Sequence, residues 1–285
     1  MRYFNFCKVN GAGNDFILID LISKSSESFS SEEIIHLCDR RKGIGADGLL
    51  ILYPAQEAGF FVDFYNADGS KGSLCGNGAR CIILYAFEQG MDREGEVKFQ
   101  FGEKIYRGEL PAGGEPVFHL NRPTRLKKGF KIKARNSLLT AHFCDTGSPH
   151  LIVDIEDVPV ESRYPGRTFR ELSDFPVEEL GRELRYHPDF APQGVNVNFI
   201  KIIDENNLSI RTWERGVEGE TDACGTGSTA AAIVMFALGR VTPPVKLLTK
   251  SGDILVIDFK IIDNKLENLS LTGPAEINYR GTVEL

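Results

Sequence analysis

The amino-acid sequence predicts an α/β protein made of two similar halves, each of which contributes one helix headed by a cysteine to a central cleft. Three observations predict this fold. The chain has 285 residues, a length that fits two domains of ordinary size. Short strand-like segments separated by turn residues recur along most of it. The pattern Cys-Gly-x-Gly, followed by an apolar helix, occurs at 75–78 and again at 224–227, about half the chain apart.

Strands are predicted where β-branched and aromatic residues form short runs bounded by Gly, Asp or Asn. These runs lie at 16–20, 49–53, 60–65, 97–101, 151–155, 196–203, 208–213 and 254–262. The closing segment from Thr272, TGPAEINYRGTVEL, is also strand-like, and the sequence leaves open whether it returns to pack on the first half.

Two surface helices carry recognisable starts. One is predicted at 31–41, with Ser30 or Ser31 as its N-cap and two glutamates in its first turn, where the helix dipole favours them. The other is predicted at 177–184, directly after Pro176.

The two cysteine-headed helices are predicted at 77–89 and 225–238. Each ends just before a glycine, Gly90 or Gly239, which is the usual residue after a helix C-terminus. Each is apolar on most faces, so both are expected to be central and buried.

A stretch rich in Pro and Gly, Leu110–Pro123, is the best candidate for a domain boundary. It divides the chain into an N-terminal half, 1–120, that carries Cys75, and a C-terminal half, 121–271, that carries Cys224.

Composition excludes several classes of function. Lys and Arg number 33 against 40 Asp and Glu, a net charge of −7, which argues against a nucleic-acid binder or a membrane-surface protein. The longest apolar run, 230–238, is too short to cross a bilayer, and the first residues lack the pattern of a signal peptide. We therefore expect a cytoplasmic protein whose six cysteines are reduced.

The glycine-rich motifs do not predict a nucleotide site. Gly43, Gly45 and Gly48 match GxGxxG, but the segment that follows is strand-like rather than helical, and the glycines from 225 follow a turn-rich run. A metal site is not expected either, because no histidine stands at ligand spacing from Cys75 or Cys81.

Two thiols at two helix N-termini indicate proton transfer. The helix end lowers the pKa of a cysteine there, and its unpaired N–H groups can hold a carboxylate. Two such ends facing each other would place one sulfur on each side of an α-carbon, so that one thiolate removes a proton and the opposite thiol delivers one. The alternative is two buried cysteines that happen to precede glycine turns. The repeated context favours the catalytic interpretation.

Six motifs together resemble the diaminopimelate epimerase family: GAGNDF at 11–16, FYNADGS at 64–70, CGNGAR at 75–80, ERG at 214–216, ACGTG at 223–227 and TGPA at 272–275. The resemblance implies a fold of the α+β type with two pseudo-symmetric domains, each a curved, mostly antiparallel sheet around a central helix. It also implies a homodimer that interconverts LL- and meso-diaminopimelate, without metal or other cofactor, for lysine and peptidoglycan synthesis.

The resemblance also implies roles for individual residues. The acid/base pair is Cys75 and Cys224, and His150 and Glu214 are placed near them to assist proton traffic. The substrate-binding positions are Asn14, Asn66, Gly76, Asn77, Asn196, Glu214, Arg215, Gly225 and Thr226.

Several of these residues also have ordinary structural interpretations. Asn14 and Asn66 could form turns, Arg215 could form a surface ion pair, and His150 could be a satisfied interior histidine. Two positions depart from a common form of the family, which has Gln at Gly48 and Asn at Ser148; both put contacts to the distal end of the substrate in doubt.

Three other functions stay open at this level. A proline or hydroxyproline racemase would also use two cysteines, but it would not need Arg215 or the asparagines to bind a second charged end of its substrate. A non-catalytic amino-acid-binding protein would tolerate serine at both cysteines. A thiol-redox protein would use a reversible disulfide between Cys75 and Cys224.

Overall fold

A computed structural model describes residues 1–23, 27–73, 75–164 and 166–285. The chain forms two compact units, one of Met1–His119 with Thr272–Leu285 and one of Leu120–Leu271. Leu74, the apolar residue of the first cysteine motif, lies outside the described residues. Within the described residues, no helix combines the length and the apolar character needed to cross a membrane.

The first unit is a continuous run of paired strands with two helices. Its helices are α1 (Ser31–Cys38) and α2 (Gly76–Glu88). Its strands, in the order in which they pair, are β17 (Glu276–Glu284), β1 (Tyr3–Gly11), β2 (Asn14–Asp20), β3 (Gly48–Tyr53), β4 (Phe60–Asn66), β5 (Glu96–Phe101), β6 (Lys104–Glu109) and β7 (Val117–His119). The pairs β2–β3 and β4–β5 are parallel, and the other pairs in this order are antiparallel.

Helix α2 is the central helix of the first unit, as its apolar sequence predicts. It packs against strands from both ends of the sheet, including β1, β2, β6, β7 and β17. Side chains alternate along the strands, so Leu49 and Ile51 of β3 pack with Ile34 and Leu37 of α1, while Leu50 lies under the start of α2. The sheet is therefore covered by α1 on one face and by α2 on the other.

Helix α1 ends earlier than its sequence pattern predicts. Ser30 is the N-cap, with a capping box to Glu33. The helix stops at Cys38 rather than at residue 41, because Asp39 takes an extended conformation and its carboxylate accepts hydrogen bonds from the N–H groups of Arg41 and Lys42.

The second unit has the same kind of sheet. Its helices are α3 (Val177–Arg185) and α4 (Gly225–Ala237), with short 3-10 turns at 155–157, 172–174 and 188–190. Its strands are β8 (Arg125–Ala134), β9 (Ser137–Asp145), β10 (Pro149–Asp154), β11 (Asn196–Ile202), β12 (Asn207–Glu214), β13 (Gly219–Thr221), β14 (Val245–Leu248), β15 (Ile254–Ile262) and β16 (Lys265–Thr272). Strands β8 to β12, then β14 and β15, pair in that order, with β10–β11 and β12–β14 parallel.

The order of elements repeats between the units. The first unit runs β1–β2–α1–β3–β4–α2–β5–β6, and the second runs β9–β10–α3–β11–β12–α4–β14–β15, with parallel pairs at the same two places. Helix α4, like α2, is buried along almost its whole length and packs on several strands. The repeat confirms the predicted α+β architecture of two similar, mostly antiparallel halves, each around a central helix.

The strand missed most clearly by the sequence patterns is β8. Half of its residues, RLKKGFKIKA, are charged and most of them are exposed, so the apolar alternation that marks a strand is confined to its last residues. The strand predicted at 151–155 ends at Asp154, because that side chain caps the 3-10 turn that starts at Ile155.

Candidate functional site

Cys75 lies at the N-cap of α2, with extended backbone angles. Its sulfur accepts a hydrogen bond from the N–H of Gly78 at 3.5 Å and lies 3.6 Å from Oδ1 of Asn14. The thiol is half-buried, and the first residues of the helix, Gly76 and Asn77, are buried. The first cysteine therefore has the environment that the sequence pattern indicates, a helix N-terminus in contact with a polar side chain.

A buried arginine fixes the start of α2. Arg80 has no exposed surface, and its guanidinium donates to the carbonyl of Gly76 at 3.2 Å and to Oδ1 of Asn77 at 3.1 Å. It also donates to the carbonyl of Pro274, which belongs to the TGPA motif of the C-terminal segment. This contact gives that motif a structural role at the cysteine-bearing helix end.

Asn14 is held from the other side by a charged network. Its amide Nδ2 donates to Asp47 at 2.6 Å, and Arg40 bridges Asp47 and Asp15. Lys8 pairs with Asp15 at 2.6 Å. Burial of Asp15 alone would raise its pKa, but the hydrogen bonds from Arg40 and Lys8 outweigh burial and lower the pKa to about 2. These contacts rigidify the segment that presents Asn14 to Cys75.

Asn66 closes a turn at the end of β4. Its Nδ2 donates to Oγ of Ser70 at 3.0 Å, and its backbone N–H donates to the carbonyl of the same residue. This geometry gives Asn66 the turn-forming role that was the structural alternative for it.

Cys224 lies at the N-cap of α4 and is 6% exposed. Its sulfur is 3.6 Å from the hydroxyl of Thr226, and that hydroxyl is 3.0 Å from Nε2 of His150. Thr146 donates to the carbonyl of Thr226 at 3.1 Å and so anchors the first turn of the helix. The sulfur of Cys224 therefore contacts a hydroxyl, and that hydroxyl in turn contacts an imidazole.

His150 is fully buried at the start of β10. Burial, together with the positive charge of Arg215, lowers the pKa of its imidazole to about 3. His150 is therefore neutral at physiological pH, and its Nε2 atom is linked to the Cys224 sulfur through the hydroxyl of Thr226.

The remaining predicted residues of this unit gather at the ends of β11 and β12. Asn196 donates to Oγ of Ser148 at 2.8 Å and accepts from the backbone N–H of Arg215 at 2.9 Å. Oε1 of Glu214 accepts from the hydroxyl of Thr221 at 2.5 Å. Ser148 thus supports Asn196 directly.

The Arg215 side chain is half-buried. Among the described residues, no carboxylate lies within ion-pair distance of its guanidinium. The surface ion pair considered as an alternative for this residue is therefore not formed in the described part of the chain.

Gly48 stands where a side chain would not fit the present backbone. A Cβ atom there would lie 2.6 Å from the carbonyl oxygen of Tyr65 and 2.5 Å from the ring of Phe64. The glycine therefore allows β3 and β4 to approach closely. This structural role is separate from the side-chain contact to substrate that a glutamine would make in a common form of the family.

Replacing Gly227 by alanine is expected to destabilise the protein. A Cβ at this position of α4 would overlap Oδ1 of Asn198 and lie 3.3 Å from the sulfur of Cys224. The helix propensity of alanine would stabilise the fold by about 1 kcal/mol relative to glycine, but such overpacking typically destabilises it by about 1–3 kcal/mol. We therefore expect urea unfolding to give a lower free energy of unfolding for the variant. Gly78 holds the equivalent position of α2, and its Cβ would lie 3.4 Å from Leu50, an ordinary contact. The Gly78→Ala control should therefore unfold at or above the wild-type midpoint, and an equally stable Gly227→Ala variant would contradict the predicted clash.

The arrangement as a whole presents one thiol at the start of each central helix. Among the residues that the structure describes, no cluster of three or more His, Cys, Asp or Glu side chains could hold a metal ion.

Comparison with known proteins agrees with the motifs. The model of the diaminopimelate epimerase family matches residues 6–106 and 142–278. The chain belongs to this family. The match confirms the resemblance and the isomerase class predicted from the sequence.

Individual relatives span nearly the whole chain. The diaminopimelate epimerase of Chlorobaculum tepidum is 38% identical over 279 residues, which cover 97% of this chain and 100% of the relative. That of Aquifex aeolicus is 36% identical over 278 residues, covering 94% of this chain and 93% of the relative.

Solved structures of other proteins share the fold. A PhzF-family phenazine biosynthesis protein of Bacillus anthracis aligns with a TM-score of 0.70 at 13% identity, covering 100% of both chains. A hydroxyproline epimerase of Agrobacterium vitis aligns with a TM-score of 0.67 at 18% identity, covering 99% of this chain and 92% of the other. At these identities the likeness concerns the fold alone.

Three residues that contact the candidate site residues were not predicted from the sequence. Asp47 orients Asn14, Arg80 orients Asn77, and the fully buried Asn198 contacts His150. Arg80 and Asn198 carry a detectable signal, because each is a polar residue within an otherwise apolar helix or strand.

Proposed function

We propose that the chain interconverts LL-2,6-diaminopimelate and meso-diaminopimelate, the epimerisation that supplies lysine and peptidoglycan precursors. The observation that carries the proposal is the position of Cys75 and Cys224, each at the N-cap of the central helix of its unit. Membership of the diaminopimelate epimerase family and the names of the relatives support the choice of substrate.

The proposed reaction is proton exchange at one α-carbon between two sulfurs. One cysteine, as thiolate, takes the α-proton from one face, and the electron pair left on the carbon delocalises into the adjoining carboxylate. The other cysteine, as thiol, gives its proton to the opposite face, so the configuration inverts and the two sulfurs exchange protonation states. Protons and electrons balance in this reaction without any oxidation and without any group from outside the chain.

The helix ends supply the electrostatics. The backbone N–H groups of the first helical residues, Gly76 and Asn77 in α2 and Gly225 and Thr226 in α4, are assigned to the reacting carboxylate. Negative charge builds on that carboxylate as the proton leaves, so these donors stabilise the transition state more than the ground state.

The polar side chains are assigned to the ends of the substrate. Asn14, Asn66 and Asn196 offer both donors and acceptors for an amine and a carboxylate on one carbon. Arg215 is assigned to the distal carboxylate, which a guanidinium can hold with two parallel hydrogen bonds. His150 and Glu214 are assigned to assist proton traffic at the thiols.

We further propose a cytoplasmic homodimer, with one cysteine carried by each of two domains, 1–120 with 272–285, and 121–271. Free thiols at all six cysteines fit a reducing compartment. Sedimentation of the purified protein tests the dimer.

Proton NMR of candidate substrates in deuterated water tests the function. We expect reduced protein to remove the α-proton signal of LL-diaminopimelate and to form the meso isomer. The likeness in fold to a hydroxyproline epimerase makes proline and 4-hydroxyproline the matched comparison substrates. Exchange with either of these, and none with diaminopimelate, would contradict the proposal and favour the racemase alternative.

A further inference from the structure

The repeat places different residues behind the two cysteines. In the first unit, Leu50 of β3 pairs with Phe64 of β4 and lies under the start of α2. In the second unit, the equivalent strand pair brings Asn198 opposite Thr212 under the start of α4. Cys75 therefore begins a helix over an apolar pair, whereas Cys224 begins a helix over a buried polar pair. The chemical roles of the two thiols need not be the same.

Asn198 has one possible orientation. Its amide nitrogen lies 3.0 Å from the carbonyl of Leu151, which can only accept, so that atom must be Nδ2. Its Oδ1 accepts from the hydroxyl of Thr212 at 3.0 Å. The same Nδ2 lies 3.2 Å from Nδ1 of His150, so it donates its second hydrogen to that nitrogen.

This contact decides the tautomer of His150. The imidazole is neutral, because burial and the charge of Arg215 lower its pKa to about 3. Since Nδ1 accepts, Nε2 carries the hydrogen and donates it to the hydroxyl of Thr226 at 3.0 Å. The hydrogen of that hydroxyl is then directed away from the ring, and the sulfur of Cys224 lies 3.6 Å from the oxygen. A donor aimed at sulfur stabilises a thiolate more than a thiol.

Cys75 faces an acceptor instead. Asp47 accepts from Nδ2 of Asn14, so Oδ1 is the atom that faces the sulfur. Arg80 fixes the amide of Asn77 in the same way, and Nδ2 of Asn77 donates to Oδ1 of Asn14. A thiol can donate to this oxygen, whereas a thiolate would be repelled by it.

The backbone N–H of Gly78 also donates to the Cys75 sulfur, at 3.5 Å. This weak bond and the helix dipole favour the thiolate form at Cys75. The dipole acts on both cysteines, since both cap helices of 13 residues. Cys224 makes no such cap bond in the described part of the chain, so this backbone contact also separates the two thiols and favours a thiolate at Cys75. The bond is long, and among the described contacts the larger difference lies in the side-chain partners, a carbonyl oxygen for Cys75 and a hydroxyl for Cys224.

We propose that Asn198 is a positioning residue, which acts through the tautomer of His150. The consequence is that Cys224 is the thiolate of the resting enzyme and Cys75 is the thiol. The inference rests on the proposed function only for its catalytic meaning, since the protonation states are properties of the protein without substrate. When the reaction starts from this resting state, Cys224 removes the α-proton and Cys75 delivers the new proton to the opposite face.

Charged groups also neighbour these residues. The positive charge of Arg215 acts on the imidazole of His150, and Glu214 accepts from the hydroxyl of Thr221. Burial raises the pKa of Cys144, at the end of β9, to about 12, so this thiol stays neutral. The charged residues of the segments next to Cys224 and Thr226 in sequence or by contact are Asp145, at the end of β9, and Glu220 and Asp222, before Cys224. Lys250 pairs with Glu220 at 3.6 Å and lies 4.0 Å from Asp222, and Asp253 accepts from Ser251.

Thiolate absorbance in the ultraviolet measures the two states separately. In Cys75→Ser the signal comes from Cys224, and in Cys224→Ser it comes from Cys75. The other four thiols stay silent between about pH 5 and about pH 9, because burial raises the pKa of each. We expect the Cys224 midpoint to lie at least about one pKa unit below the Cys75 midpoint, a tenfold difference in the thiolate-to-thiol ratio.

A matched pair of variants at residue 226 tests the hydroxyl. In the Cys75→Ser background, Thr226→Val removes the donor without changing the shape, and the midpoint of Cys224 should rise by about one pKa unit. Thr226→Ser keeps the hydroxyl and should leave the midpoint close to that of the parent. An unchanged midpoint in the valine variant, or a lower midpoint for Cys75 than for Cys224, would overturn the proposal.

Nitrogen-15 NMR of the histidine rings tests the tautomer in the unmodified protein. We expect His150, assigned by the signal lost in His150→Gln, to keep an unprotonated Nδ1 and a protonated Nε2 from about pH 5 to about pH 9. In Asn198→Leu this preference should be lost. A proton on Nδ1 in the unmodified protein would overturn the relay. Failure to epimerise diaminopimelate would instead overturn the proposed function and leave these midpoints and signals unchanged.

Discussion

Cys75→Ser and Cys224→Ser are each expected to lower kcat for diaminopimelate epimerisation by about 10³-fold or more. A serine hydroxyl ionises far less readily than a thiol, so at neutral pH it supplies neither an adequate base nor an adequate acid. General acid–base catalysis by one positioned group contributes roughly 10²–10⁴-fold. Because each half of the reaction needs its own sulfur, either substitution alone should have the full effect. Rates of meso-isomer formation, followed by proton NMR, check this.

The matched control is a cysteine outside the proposed site. Cys38 lies in α1, and burial raises its pKa to about 11, so it contributes no thiolate at neutral pH. Cys38→Ala should keep the wild-type kcat. Circular dichroism of all three variants separates loss of chemistry from loss of fold. Serine variants that remain fully active would contradict the mechanism, and binding without turnover by the wild-type protein would favour the amino-acid-binding alternative.

Arg215→Met is expected to lower kcat/KM for diaminopimelate by about 10²-fold, mainly through KM. Hydrogen bonds between charged groups are worth about 1.5–3 kcal/mol each, and a guanidinium can make two to one carboxylate. Among the described residues no carboxylate pairs with this side chain, so the substitution does not break an ion pair of the described protein. Arg215→Lys should lie between methionine and wild type, because an ammonium keeps the charge but not the planar fork.

Arg163→Met is the control for a general effect of lost positive charge. Its side chain is 78% exposed, and its contacts in the described part of the chain are with sequence neighbours, an ion pair with Glu161 and a stacking contact with the ring of Tyr164. It should leave both kinetic constants unchanged. If Arg215→Met also left KM unchanged, the distal carboxylate would not be bound there, and a substrate without a second charged end would become the better hypothesis.

Local patterns predicted much of the fold. The two cysteine-headed helices lie within one residue of their expected bounds, because a run of small and apolar residues ended by glycine has few alternatives. Strand β8 could not be predicted in the same way, since pairing with β9 rather than burial forms it. The repeat of element order was visible in the sequence only at the cysteines, because the packing surfaces of the two units differ elsewhere.

The candidate site was only partly predictable. Motif matches identified the residues that carry the chemistry, but the partners that orient them depend on strand register. Asn198 illustrates this limit: its two-residue spacing from Asn196 places both side chains on one face of β11, yet only the pairing with β10 shows that it meets His150. Asp47 reaches Asn14 across a loop, which no local pattern encodes.

The central claim is that two thiols, one per unit, act on opposite faces of the α-carbon. Its most direct test is the early time course of LL-diaminopimelate epimerisation in deuterated water, with deuterium measured separately in substrate and product. Two bases predict that the first meso product carries deuterium at the inverted carbon while the remaining LL substrate keeps its proton, because each face exchanges with its own sulfur. Deuterium entering substrate and product at equal rates, or a product that retains the original proton, would indicate a single base and contradict the account.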